Sequence, residues 1–159
     1  WTLSPRENVA EGRQIMLVQQ ILKSKSDDGV VTIPPSARLD EAASLLAQRK
    51  IGAVVVSPDG KVVAGILSER DIVRELSTRG AACMAVTVEA IMTRDIVTCG
   101  RNDGSDAVLA LMTKGRFRHL PVVEGAEMVG LISIGDVVKA QLSELAMEKE
   151  ALEGMIKGF

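Results

Sequence analysis

The sequence predicts an α/β protein (α+β in some classifications) made of two βαββα repeats, with further helices at both ends of the chain. Three observations support this prediction. Short β-branched runs alternate with helical patterns, turn residues separate these signals, and the same order of signals occurs twice. The chain has 159 residues, 47% of them hydrophobic, and contains one Trp, two Phe and no Tyr. Its core must therefore consist of aliphatic side chains.

The first half contains the signals of all five elements in order. Residues 30–33 are a β-branched run ended by two prolines, which predicts a strand, and apolar residues at helical spacing predict a helix over 40–48. A continuous apolar run over 52–57 predicts a buried strand. The Pro58-Asp59-Gly60 turn and a strand over 62–67 follow, and a helix over 69–78 ends before Gly80.

The second half repeats these signals. We expect strands over 96–99, 119–123 and 128–133, a helix over 106–114, and a final helix from Ile134. No Pro or Gly lies between Gly135 and Gly154, so the final helix continues past its repeat. Its apolar stripe, interrupted by Lys149, consists of Val138, Leu142, Leu145, Leu152 and Ile156. Two interpretations stay open: the stripe packs along its own chain, or it forms a dimer or docks a partner.

The two halves can be aligned residue by residue. Val31-Thr32 matches Val97-Thr98, 66 positions later. After the turn at 58–60 the separation falls to 65 positions, as expected if the second turn is one residue shorter. The pairs matched at that separation are Gly65 and Gly130, Ser68 and Ser133, and Asp71 and Asp136. The chain is therefore a tandem duplication.

The repeats divide the chain into four parts. Residues 17–80 form repeat 1, residues 81–143 form repeat 2, and residues 144–159 form a C-terminal helical extension. We interpret residues 1–16 as an N-terminal extension or a segment added to the natural chain. The chain begins with Trp1, and Met16 is a candidate natural start, so we expect residues 1–15 to be dispensable.

Charge and composition exclude several classes of function. The 19 basic and 21 acidic side chains provide no basic surface for duplex DNA, and too few aromatic residues are present to stack single-stranded nucleic acid. The sequence shows neither an apolar run of about 18 residues for a membrane span nor a secretory signal. Cys83 and Cys99 form no paired motif, which predicts free thiols in a reducing, cytoplasmic compartment, with a single disulfide as the alternative.

The matched residues form a Gly-x-x-Ser-x-x-Asp motif at the start of a helix in each half. The structural interpretation is a capping box, in which Ser caps the helix and the acid favours its positive end. Three observations favour binding instead. The acid is Asp in both copies, a Gly inside a strand indicates close approach to the backbone, and Arg116, Arg118 and His119 stand before the strand at 120–123.

These residue types suit a nucleoside phosphate. A carboxylate accepts both hydroxyls of a ribose, and a helix N-terminus with a Ser hydroxyl receives a phosphate. Arg118, His119 and, in the first motif, Arg70 add charge-assisted hydrogen bonds. Aliphatic side chains and backbone groups can hold adenine, so the lack of aromatic residues does not exclude it.

The arrangement over residues 17–143 resembles a tandem pair of cystathionine β-synthase (CBS) domains, a Bateman module. The resemblance rests on both Gly-x-x-Ser-x-x-Asp motifs, on the Ile91–Thr98 segment before the second repeat, and on the Arg118–Val123 segment. It is strongest to the stand-alone CBS-pair proteins of bacteria. The resemblance implies two small sheets packed together with pseudo-two-fold symmetry.

The resemblance also implies a ligand and its residues. CBS pairs bind AMP, ADP, ATP, S-adenosylmethionine or NAD-type molecules between their repeats, and AMP is our first expectation here. By analogy Asp71 and Asp136 hold ribose, Ser68 and Ser133 hold ribose or phosphate, and Gly65 and Gly130 complete the motifs. The resemblance adds Ser26 and Val31 to the Asp136 site and Thr93 and Val97 to the Asp71 site. The counterparts of Arg118 and His119 are the uncharged Gly52 and Ala53, so we expect unequal sites.

Several residues have a competing structural interpretation. His119 is either a phosphate ligand or the surface end of a strand, and Phe117 is either packed at the strand entry or stacked on adenine. For Arg116, Lys23 and Lys25 we favour solvated positions, and for Met92, Met112 and Met128 the core.

Three functions compete. The first is a regulatory module, most simply a homodimer formed through the CBS helices, in which an adenine nucleotide changes the geometry of the dimer or of an unknown partner. The second is a ligand-free structural dimerisation or docking module. The third, an enzyme, is disfavoured because the sequence has one His, no nucleophile–base pair, no P-loop and no metal-ligand cluster.

Overall fold

The computed structural model describes residues 15–25 and 29–156. The described chain divides into two compact units. We name them by the motif each contains: the Asp71 unit comprises residues 29–97 and 124–129, and the Asp136 unit comprises residues 15–25, 98–123 and 130–156.

The Asp71 unit contains a three-stranded sheet in the order β1-β2-β3. Its elements are β1 (Thr32–Ile33), α2 (Leu39–Arg49), β2 (Ala53–Val56), β3 (Gly65–Ser68), α3 (Glu69–Arg79), a 3-10 helix (Gly80–Ala85) and α4 (Val88–Ile91). Strand β2 is parallel to β1 and antiparallel to β3, and all four of its side chains are buried. This burial explains its unbroken apolar sequence.

The Asp136 unit contains α1 (Val18–Ser24), α5 (Ser105–Gly115) and α6 (Ile134–Ile156). Strands β4 (His119–Glu124) and β5 (Glu127–Ser133) form the second sheet, and the two-residue connection between them requires an antiparallel hairpin. Residues 124–129 at the tip of this hairpin belong to the Asp71 unit. The mixed fold with two small sheets confirms the predicted class.

The compact units exchange segments relative to the sequence repeats. Helix α1 lies at the start of repeat 1 but belongs to the Asp136 unit, together with most of repeat 2. Residues 81–97, the first part of repeat 2, belong in turn to the Asp71 unit. Each unit therefore combines most of one repeat with the first segment of the other.

Most elements occur where the sequence predicts them, but three strands are shorter. The predicted strand over 30–33 is reduced to β1, and the strand over 62–67 starts only at Gly65. The predicted strand over 96–99 is wrong: only Thr98 and Cys99 are bridge residues, and Cys99 forms a parallel bridge with Val122. That bridge is the counterpart of the Ile33–Val56 pair in the Asp71 unit, so the topology is repeated although the strand is not.

The final helix extends past its repeat as predicted, and its apolar stripe is not covered. The five stripe residues are 43–85% exposed. The first interpretation, in which the stripe packs along its own chain, is therefore wrong for the described residues. Among these residues no helix is long and apolar enough to cross a membrane.

Candidate functional site

The first motif lies where β3 passes directly into α3. Ser68 is the N-cap of α3, and the Asp71 N–H donates to its hydroxyl over 3.4 Å. The Asp71 carboxylate accepts the Ser68 N–H at 2.9 Å and the Ser68 hydroxyl at 3.1 Å. These bonds are those of a capping box, formed here by Asp in place of the usual Glu or Gln. The structural interpretation of the motif is thus realised, and any ligand must be bound in addition to it.

The second motif has the same geometry where β5 passes into α6. The Ser133 N–H donates to the Asp136 carboxylate at 2.8 Å, and the Asp136 N–H donates to the Ser133 hydroxyl at 3.2 Å. The two copies therefore agree in local structure as well as in sequence.

The Asp136 carboxylate has a further partner that the first copy lacks. The Lys25 ammonium, just after the end of α1, lies 2.9 Å from Asp136 Oδ2 and donates to the Leu131 carbonyl at 2.9 Å. Burial alone would raise the pKa of Asp136, but the Ser133 N–H and the Lys25 ammonium outweigh it and hold the pKa below its ordinary value. Lys25 is thus part of this site, and our prediction that it is solvated is wrong.

Asp71 has a weaker counter-ion. Its partner is Arg74, one turn along α3, at 3.5 Å, and the Arg74 side chain is 69% exposed against 27% for Lys25. The Asp71 side chain is only 9% exposed, compared with 23% for Asp136. The more deeply buried carboxylate therefore has the more solvated partner.

The two motif glycines are required by close packing. A Cβ on Gly65 would lie 2.5 Å from Met92 Sδ and 2.9 Å from the Thr93 carbonyl oxygen. A Cβ on Gly130 would lie 2.7 Å from Leu22 Cδ2. The sequence predicted a close approach to both backbones, and the structure shows the approaching groups to be the protein's own side chains and backbone.

The basic residues near the second motif are placed by the strand before it. The Ile134 N–H donates to the Arg118 carbonyl at 2.8 Å, and the Glu69 N–H donates to the Gly52 carbonyl at 3.0 Å in the other unit. Arg118 and Gly52 are thus structural counterparts, as the alignment predicted. The Arg118 side chain is exposed beside the N-terminus of α6, and His119 is half-buried at the start of β4. Both positions are compatible with phosphate binding.

The remaining predicted site residues are distributed as follows. Thr93 pairs with Ile66 of β3 through bonds of 2.9 and 3.1 Å, so it lies beside the strand that leads to Ser68. Val97 is half-buried in the same unit, and Arg70 is exposed in the first turn of α3. Val31 also belongs to the Asp71 unit, and its part in the Asp136 site stays a prediction. Ser26 lies outside the described residues.

Arg116 and Phe117 occupy the end of α5. Arg116 is its C-cap, with a left-handed φ of 57°, and its side chain is exposed, as predicted for a solvated residue. Phe117 is half-buried and packs against Gly115, which favours the packed interpretation over an adenine stack. Met92 and Met112 are buried, as predicted, and Met128 is half-buried.

Both cysteines are buried free thiols, as predicted. Burial and the charge of Asp103 raise the pKa of Cys99 to about 12, so this thiol is a poor nucleophile at neutral pH. In the part of the chain that the structure describes, no group of three His, Cys, Asp or Glu side chains could hold a metal ion.

The duplicated fold and paired motifs define a class of protein. The CBS domain family matches residues 18–78 and 88–143. The chain therefore belongs to the CBS domain family and contains a tandem pair of CBS domains, as the resemblance implied.

Individual relatives agree with this assignment. The mitochondrial CBS domain-containing protein CBSX3 of Arabidopsis thaliana is 30% identical over 161 residues, which cover 97% of this chain and 78% of the relative. The crystal structure of ATU1752 from Agrobacterium tumefaciens has a TM-score of 0.75 at 45% identity and covers 79% of this chain and 99% of its own. PAE2072 of Pyrobaculum aerophilum, solved in complex with AMP, has a TM-score of 0.66 at 27% identity, covering 76% and 89%.

Proposed function

We propose that this chain is a regulatory module that binds AMP-type adenine nucleotides at its two Ser–Asp motifs and is not an enzyme. The observation that carries the proposal is the repetition of one geometry. A buried or half-buried carboxylate sits in the first turn of a helix directly after a strand, twice, in a family that includes a solved complex with AMP.

Capping and ribose binding are compatible in this geometry. The cap bonds from Ser68 and Ser133 go to the Oδ2 atoms of Asp71 and Asp136. A carboxylate offers about four lone-pair positions on its two oxygens, so the capped groups keep acceptor capacity for ribose hydroxyls. The cap then fixes the side-chain rotamer and orients the carboxylate before the ligand arrives.

The charges around the motifs support phosphate binding at different strengths. Lys25, Arg118 and His119 accompany Asp136, whereas Arg70 and Arg74 accompany Asp71. Cations at a helix N-terminus favour a phosphate because they add to the helix dipole. We therefore propose unequal affinities, with the stronger phosphate binding at Asp136.

Regulation requires that the nucleotide bind two conformations with different affinity. We propose that the chain forms a homodimer through its CBS helices and that nucleotide binding changes the geometry of this dimer or of a partner. ADP and ATP are variants of the proposed AMP-type ligand. NAD and S-adenosylmethionine are the alternative adenosine ligands.

The test is isothermal titration calorimetry with AMP on the wild type, Asp136→Asn and Asp71→Asn. Asparagine keeps an oxygen to accept the Ser N–H but removes the charge that ribose hydroxyls would bind. Each variant should lose at least tenfold in affinity at its own site, or one equivalent of bound AMP, because charge-assisted hydrogen bonds contribute about 1.5–3 kcal/mol. ADP, ATP, NAD and S-adenosylmethionine complete the panel.

The matched control is Asp40→Asn, which removes an acidic side chain from the first turn of α2, where Asp40 pairs with Arg38 at 3.1 Å. It should bind AMP like the wild type. Unchanged affinity in both motif variants would refute the site assignment. A wild type that binds none of the five ligands would instead favour the ligand-free docking module.

A further inference from the structure

Helix α6 carries an apolar seam that the rest of the described chain leaves uncovered. The seam runs at alternating spacings of four and three residues, which is the heptad pattern of a coiled coil. It consists of Val138, Leu142, Leu145, Lys149, Leu152 and Ile156. Its five apolar members are 43–85% exposed, and Lys149 occupies the fourth position.

A different face of α6 is bonded to its own unit. Glu144 accepts the Met16 N–H and the Ser105 hydroxyl, both at 2.6 Å, and Gln141 donates to the same hydroxyl at 2.9 Å. Val137 and Ala140 are buried on this face. The seam therefore remains available along the whole helix.

The end of α6 needs support from outside the described chain. From Leu145 to Ile156 all residues except Gly154 are exposed. A helix of this length without packing partners is marginal in water, where isolated helices need about 12–15 residues or more. An apolar seam on such a helix indicates a helical partner with a matching seam.

We infer that this partner is α6 of a second copy of the chain, paired in the antiparallel direction. A parallel pair would place the two Lys149 side chains opposite each other and Glu148 beside the partner's Glu153. Like charges at both positions disfavour it.

The antiparallel pair has one register in which all seam positions match. Leu142 then faces the partner's Leu152, and Lys149 faces the partner's Leu145. Val138 and the partner's Ile156 close each end of the seam. Each contact thus joins two different seam positions, and no lysine meets its own copy.

The flanking charges fit the same register. Lys139 lies beside the partner's Glu153, which gives two opposite-charge pairs by symmetry, and Ala146 meets the partner's Ala146 at the centre. The two Glu148 side chains meet on the other flank, next to the two Lys149 ammonium groups. Pairing over residues 138–156 spans about 28 Å at about 1.5 Å per residue and brings together ten apolar seam side chains.

Cysteine cross-linking of the full chain tests the direction of pairing. In the inferred register Ala146→Cys brings two thiols together, so mild oxidation should convert most of this variant to a covalent dimer. Ser143→Cys, on the outward side of α6, is the matched control and should cross-link at least tenfold more slowly. Cys83 and Cys99 are buried, so the wild type should give no cross-linked dimer.

Charge exchange tests the register. Lys139→Glu should slow cross-linking of Ala146→Cys several-fold at low salt, because it places two Glu side chains together. Adding Glu153→Lys should restore the rate, since the opposite-charge pair is rebuilt with its signs exchanged. The rate in each variant is measured without nucleotide, so the result is independent of the proposed ligand binding.

Three results would overturn the inference. Equal cross-linking of Ala146→Cys and Ser143→Cys would show that α6 has no fixed partner. Faster cross-linking of Leu145→Cys than of Ala146→Cys would show a parallel pair, in which residue 145 meets its own copy. A homodimer formed through other helices leaves all three variants slow and also contradicts the inference.

Discussion

The two Ser–Asp motifs have the same cap but different counter-ions. Asp71 pairs with Arg74, three residues along its own helix. Asp136 pairs with Lys25, which lies in the first segment of repeat 1 and is distant in sequence. The first motif is thus complete within a local segment, whereas the second depends on the docking of another segment. The comparison shows that the two repeats share the same local hydrogen bonds. Their counter-ions differ, because the counter-ion of Asp136 is brought in by long-range packing and that of Asp71 is not.

The glycines of the motifs differ in a similar way. Gly65 faces a backbone carbonyl and the Met92 side chain, whereas Gly130 faces the end of one leucine side chain. The Thr93 carbonyl is fixed because it accepts the Ile66 N–H at 3.1 Å, while Leu22 can change rotamer. The Met92–Thr93 segment is therefore packed more rigidly against Gly65 than Leu22 is against Gly130.

The largest predicted effect on stability comes from substituting these two glycines. We expect Gly65→Ala to lower the free energy of unfolding by about 2–3 kcal/mol and Gly130→Ala by about 1 kcal/mol, because overpacking is costly where the neighbour cannot move. Urea unfolding at pH 7 followed by circular dichroism measures both.

A double variant sharpens this prediction. Leu22→Ala removes the side chain that Gly130→Ala would meet, so the two changes should be less destabilising together than the sum of the single changes. Strict additivity, or a larger loss in Gly130→Ala than in Gly65→Ala, would contradict the packing account.

The next effect concerns the caps and should be equal in the two motifs. Ser68→Ala and Ser133→Ala each remove an N-cap acceptor, so we expect each to lower the free energy of unfolding by about 1 kcal/mol. Ser→Asp at either position retains an acceptor and serves as the control, although it adds a negative charge beside the motif acid. A loss of stability at only one of the two positions would show that the two caps do not contribute equally to the free energy of unfolding.

The smallest effect concerns the counter-ions. Lys25→Met should lower the free energy of unfolding at pH 7 by about 0.5–1 kcal/mol and Arg74→Met by less, since exposed ion pairs contribute little. Carboxyl NMR titration should show the pKa of Asp136 rising toward its ordinary value in Lys25→Met.

The pH dependence of this effect has a definite sign. A lowered pKa in the folded state stabilises the fold at pH values above the unfolded pKa, and this stabilisation is lost as the pH falls through the folded pKa. The wild type and Lys25→Met should therefore differ at neutral pH and converge as the pH falls through the lowered pKa of Asp136. A constant difference across this range would mean that Lys25 acts through packing alone.

Much of the site could be predicted because its signals are local. The Gly, Ser and Asp positions lie within seven residues, so the strand, the cap and the helix start can all be read from one short segment. The role of Lys25 could not be predicted, because a lysine after a short helix has the same local pattern whether it is solvated or paired. Its one sequence signal was its position next to Ser26, in the segment assigned to the Asp136 site.

The prediction of a strand over 96–99 was wrong for a related reason. Its residues carry the β-branched pattern of a strand, but only Cys99 forms a bridge with β4. Ladder formation depends on the neighbouring strand as well as on propensity, so the same pattern yields a strand at β1 and only bridge residues here.

The sequence by itself determined the duplication, the order of elements, the two capped helix starts and the aliphatic core, because each follows from periodicity, turn residues or composition. Only the tertiary structure decided which segment completes which repeat, which cation accompanies each carboxylate, and that the seam of α6 stays exposed. These features depend on contacts between residues far apart in the chain, and local patterns do not encode their partners. The near absence of aromatic residues agrees with the sequence and with the structure, since the non-aromatic side chains of Met92 and Leu22 pack closely against the two motif glycines.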